Sequence, residues 1–149
     1  MTTVAWDGET MSADTLATDA WGMKEEVRNK ILRGSDFLLG CAGEHGQIMR
    51  WWRSVEQMSA NDLLMAGYFP YEKDTNDPAL MLVCANGGLY RHTSGIFTKL
   101  SRNYHAIGSG RDYALGAMHF GADSISAVRV AIEFDNGTGG EIITERFKK

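Results

Sequence analysis

The opening of the chain alternates apolar and polar positions on either side of Asp7-Gly8, a dipeptide favoured in tight hairpins. This predicts two antiparallel strands over about residues 2–6 and 9–14. After a polar stretch, Lys30-Ile31-Leu32 and the run at 36–43 (DFLLGCAG) predict a second strand pair, turning at Arg33-Gly34-Ser35. The run at 36–43 is almost wholly apolar, which implies burial on both faces. Ile48, Trp51, Trp52 and Val55 then recur at helical spacing, so a helix of about three turns follows the glycines, with its tryptophans in the core. Between 59 and 78 the pattern weakens: Ser59-Ala60-Asn61-Asp62 offers a helix start, whereas Gly67, Pro70, Asp74 and Pro78 are breakers. Residues 79–95 read as a hairpin around Asn86-Gly87-Gly88, and 104–110 (YHAIGSG) as a further strand. Helices follow at 112–120 and 124–134, then a turn-rich DNGTGG and a last strand, EIITERF. This order of elements predicts an α+β fold with a sheet-on-sheet core and helices outside.

Composition narrows the setting. A chain of 149 residues that is 44% hydrophobic can form one substantial core, and one domain is expected over 1–149. No apolar run approaches the roughly 18 residues of a membrane span, and the start lacks the basic-then-apolar plan of a signal peptide, so a cytoplasmic protein without membrane partners is expected. Cys41 and Cys84 sit in apolar runs without metal-ligand spacing and read as buried free thiols. The net charge is -4 with signs interspersed, which offers no basic patch and points away from nucleic acid. His45, His92, His105 and His119 lack a paired serine or cysteine nucleophile. No metal, nucleotide or redox motif occurs, so no cofactor is expected.

Six separated blocks carry more than a pattern: TT at the start, SADTLAT, the lysine of NKI, LLGCAG, AIGSG and FDNGTGG. In order and approximate spacing they resemble proteasome β subunits and HslV over nearly the whole chain. The resemblance implies a four-layer αββα sandwich of the N-terminal-nucleophile hydrolase type, assembled into stacked homo-oligomeric rings that enclose the active sites. It implies polypeptide substrates, handed over by an AAA+ unfoldase. Three departures stand out. The family's long second helix is replaced by the short, broken stretch at 59–78, its second glycine after the alanine-glycine pair is Glu44, and a serine of the C-terminal block is Thr138.

Carried over residue by residue, the resemblance makes Thr2 the nucleophile once Met1 is removed. A threonine hydroxyl needs a base, and an N-terminal residue brings its own in an α-amino group of pKa about 7.7–8.0. Lys30 matches the lysine whose charge keeps that amine unprotonated, and Asp14 the carboxylate that holds the lysine. Gly43 matches the glycine whose N–H faces the oxyanion. Ser109, Asp135 and Thr138 match the polar shell around the nucleophile amine, Thr18 a position whose backbone pairs with an extended substrate, and Ala17, Cys41, His45 and Met49 the pocket for the residue before the cut. Two other activities fit the same resemblance: a catalytically silent shell or assembly protein, which the full set of polar residues opposes, and a small-molecule amidase with the same nucleophile.

Overall fold

The computed structural model describes residues 2–18, 21–66, 78–93 and 95–147. Among the described residues it is a mixed α+β fold of two principal antiparallel sheets, one two-stranded pair and four helices. The first sheet holds β1 (Thr3–Trp6), β2 (Thr10–Ala13), β10 (His105–Gly108) and β11 (Ile143–Arg146) in the order β10-β1-β2-β11. The second holds β5 (Ile31–Arg33), β6 (Phe37–Ala42), β7 (Ala79–Cys84), β8 (Leu89–Thr93) and β9 (Ile96–Lys99), in sequence order. The hairpin predicted around Asp7 is present: the Asp7 carboxylate accepts from the N–H groups of Glu9 and Thr10, and Val4 pairs with Ala13.

β6 shows why its sequence is apolar throughout. It lies between β5 and β7, so neither edge nor face meets water. Phe37, Leu39 and Cys41 point into one cluster with Ile48, Trp51 and Trp52 of α1 (His45–Val55). Leu38 and Ala42 point into another, with Val4 and Met11 of the first sheet. Gly40 sits between them, where a Cβ would come within 2.8 Å of Val4 Cγ1, so the sheets can approach this closely only over a glycine. On the other side of the first sheet lie α3 (Arg111–His119) and α4 (Ser124–Phe134), with Ala114, Met118, Ala127 and Val128 packed over Ala5 and Ala106.

Glu44 is the N-cap of α1: its carboxylate accepts from Gly46 N and Gln47 N at 3.1 and 2.7 Å, which gives this departure a local role. The helix start at Ser59 leads into α2 (Ala60–Ala66), where the Ser59 hydroxyl accepts from Asp62 N. The breakers Gly67, Pro70 and Asp74 lie outside the described residues. The sequence pattern misses the pair β3 (Leu16–Thr18) and β4 (Lys24–Glu26), and also β9. No helix among the described residues is long and apolar enough to cross a membrane.

Candidate active site

Asp14 follows β2 and is fully buried. Its Oδ1 accepts from Lys30 Nζ and from the N–H of Thr3, each at 3.0 Å, and its Oδ2 accepts from the N–H of Gly139, also at 3.0 Å. One carboxylate therefore joins the first strand, the segment before β5 and the turn before β11. Lys30, 4% exposed, also donates to the carbonyl of Leu16 at 2.5 Å. Burial pushes its pKa below the usual lysine value, against the pull of Asp14 towards the charged form.

A second polar cluster lies at the same end of β1, on the side-chain hydroxyl of Thr3. Ser109 Oγ and Thr138 Oγ1 each donate to Asp135 Oδ2 at 2.6 Å, and Thr138 Oγ1 is 2.7 Å from Thr3 Oγ1. A hydroxyl has one hydrogen, and that of Thr138 goes to the carboxylate, so Thr3 is the donor in the last contact. Burial raises the Asp135 pKa, but the bonds from Ser109, Thr138 and the Gly137 N–H outweigh it and hold the carboxyl below its usual value. The glycines flanking Ser109 are set by contact. A Cβ on Gly108, whose φ is +99°, would lie 1.9 Å from the carbonyl oxygen of Thr2, and one on Gly110 would lie 2.1 Å from Thr3 Oγ1.

Thr2, 6% exposed, lines a cavity of about 440 Å³ together with Lys30 and Gly43. Ala17, Thr18, Cys41 and His45 share this lining. Gly43 has φ +135°, outside the range of most side chains, and a Cβ there would meet Pro78 Cα at 3.1 Å. Burial pushes the Cys41 thiol far up, which makes it an inert wall rather than a nucleophile. Met49 does not line the cavity; it packs at the edge of the α1 cluster, and its sulfur accepts a weak hydrogen bond from Asn29 Nδ2 at 3.6 Å. Asp14, Ser109, Asp135 and Thr138 are not among the residues that line it. The sequence reading missed Glu25 and Val27, which line the cavity from β4 and the residues after it, and the hydroxyl of Thr3. The second threonine of the TT pair was the available signal for the last. A larger cavity of about 680 Å³, bounded by Trp6, Cys84 and Phe147, contains none of the expected residues. Among the described residues, no cluster of histidine, cysteine, aspartate and glutamate could hold a metal.

The fold is that of the proteasome/HslV class, which bears out the expected resemblance at the level of fold. The particular structures it resembles include Thiobacillus denitrificans BPH in complex with epoxomicin, at 21% identity and a TM-score of 0.71 over 99% of this chain and 98% of that one. A second structure of Thiobacillus denitrificans BPH gives 22% and 0.69 over 98% and 97%. Eukaryotic HslV from Trypanosoma brucei gives 18% and 0.73 over 96% and 97%. No family model matches the sequence, and no curated protein matches it.

Proposed function

We propose that this protein is a threonine-type peptidase that hydrolyses amide bonds of unfolded polypeptides through Thr2 after removal of Met1. The observation that carries the reading is the meeting of Thr2, Lys30 and Gly43 on one cavity, with Lys30 buried against Asp14 behind it. In this mechanism the Thr2 hydroxyl adds to the substrate carbonyl while the Thr2 α-amine takes its proton. The Gly43 N–H stabilises the oxyanion. The amine returns the proton to the leaving nitrogen, and water then releases the acyl group by the same route in reverse. Lys30 acts through its charge, disfavouring ammonium at the Thr2 amine. Asp135 with Ser109 and Thr138 orients the strand end that carries the nucleophile, and Thr18 offers backbone to an extended substrate.

The four-layer αββα arrangement, a single domain over 1–149 and a ring compartment belong to the same proposal. Support for assembly comes from exposed apolar side chains: Trp21 (93% exposed) and Met23 beside β4, and Phe120 (91%) and Phe134 at the ends of α3 and α4. Trp51 and Trp52 do not contribute to it, since both are core. A ring requires a mass several times that of the 149-residue chain by analytical ultracentrifugation at micromolar concentration. A monomer would remove the compartment and favour the small-molecule amidase.

The direct test uses an epoxyketone peptide, whose ring adduct needs a hydroxyl and a free α-amine on one residue. One structure of this fold holds epoxomicin, which makes that compound the first probe. Tandem mass spectrometry should place the adduct on Thr2. Thr2→Ala should fold but neither react nor cleave, and Thr2→Ser should keep part of the activity. Label on another residue, or full activity in protein shown to retain Met1, refutes the assignment; the silent-shell reading predicts no adduct at all.

A further inference from the structure

Away from the threonine, and sharing none of its lining residues, a cavity of about 350 Å³ opens between β7, β8, β10 and the start of α3. Three arginines from three different segments converge on it: Arg91 from β8, Arg102 from the loop before β10 and Arg111 from the first position of α3. This is a local concentration of positive charge in a chain of net charge -4, and residues 78–111 carry no acidic side chain. Buried His92 and His105 also line it, and no carboxylate does so among the described residues. Arg102 is already oriented, donating through Nε to the carbonyl of Tyr104 at 2.9 Å and through Nη2 to His105 Nδ1 at 2.7 Å. A guanidinium only donates, so His105 Nδ1 accepts and the ring is neutral, with its proton on Nε2. Burial first, and then the charges of Arg102, Arg91 and Arg111, hold the His105 pKa down to about 4. Arg111 touches the exposed Asp112 only at 3.6 Å, a contact largely screened by water.

We propose that this cavity binds a small, doubly charged oxyanion of the phosphate class. Three guanidinium groups approaching one space repel one another when it is empty, and planar forks from several directions suit a tetrahedral oxyanion. The rest of the lining is small or aliphatic, including Ala79, Leu80, Ile107 and Leu115, with no Trp, Tyr or Phe on which a nucleobase would stack. The ligand is therefore recognised by its phosphate group and not by a base.

Inorganic phosphate, titrated against the full chain by calorimetry and thermal denaturation in chloride buffer of constant ionic strength, tests this. Saturable binding at submillimolar phosphate is expected, with a rise in Tm that chloride and acetate do not reproduce. Arg91→Gln and Arg111→Gln, both at exposed positions, should fold and each weaken phosphate roughly tenfold or more. A response that never saturates, or an affinity in both variants unchanged from that of the parent chain, overturns the proposal. Glu72, Asp74 and Asp77 shortly precede Ala79 in sequence. If only the variant E72Q/D74N/D77N binds phosphate, the chain's own carboxylates are the occupant and the proposal also fails.

Discussion

Replacing Asp14 by alanine removes three acceptor contacts at once, from Lys30 Nζ, Thr3 N and Gly139 N, at a site with no access to solvent. The dominant cost is the cation left behind. Breaking a buried pair by deleting one partner costs about 3–5 kcal/mol, and each orphaned N–H adds about 1–3 kcal/mol unless water enters to meet it. Because entering water would serve all three groups together, the expected loss is about 3–5 kcal/mol, not the sum. Domains of this size are stable by only about 5–15 kcal/mol, so the variant should fold but sit close to its limit. The control is Asp14→Ala combined with Lys30→Met, which removes the stranded charge and keeps most of the volume. It should recover roughly 1–3 kcal/mol relative to Asp14→Ala alone, a coupling that places the cost on the pair. Urea denaturation with an unchanged m-value is the assay. A loss under about 1 kcal/mol for the single variant, or no recovery in the double, would refute the argument that Asp14 holds a buried charge.

Lys30→Ala should remain folded yet lose most peptide hydrolysis, with the pH profile of any residual activity moved upward; near-full turnover with an unmoved profile counts against the electrostatic role. Gly108→Ala places a methyl group against the Thr2 carbonyl at a left-handed φ, and should cost about 2 kcal/mol or more and displace Thr2, measured by thermal melts and loss of the epoxyketone adduct. Folded His105 takes up its proton only near pH 4, whereas the unfolded chain does so near 6.5; between these values the unfolded state holds more protons, so stability should fall as pH drops through the window, by at most about 3 kcal/mol. His105→Gln should flatten that slope in urea titrations, and an unchanged slope means that another group carries it.

How much of this was legible depended on whether burial left a trace in the sequence. β6 and α1 were readable because each of their buried faces is written as apolar residues at the right period. α4 was placed at 124–134, as observed, because Asp123 caps it and Ala127, Val128 and Ala131 mark its inner face. The β3–β4 pair was invisible for the opposite reason. Its strands are largely exposed and held by backbone pairing, which no side-chain alternation records. β9 failed likewise as an exposed edge strand. In the candidate site, Asp14 and Lys30 were found through the resemblance alone, since neither residue type in isolation announces burial. The Thr3–Thr138–Asp135 chain arises from elements distant in sequence, and only folding brings them together. Arg91, Arg102 and Arg111 lie in one stretch without acidic residues, but that they face a common cavity is visible only in the fold.

The same β3–β4 pair gives the cavity beside Thr2 two walls of unequal firmness. One wall is β6 and α1, embedded in the core. The other, carrying Ala17, Thr18 and Glu25, is a two-stranded ribbon joined to the rest through few backbone bonds, among them Thr15 N and Leu16 N to Gly139 O. Ribbons of two strands are marginal by themselves, so their amide hydrogens should exchange through local opening, well before the core lets go. An extended peptide that pairs with Thr18 would add a third strand and slow that exchange. Occupancy of the cleft would then be readable as a gain in local order on its outer bank, even with a ligand that never reacts.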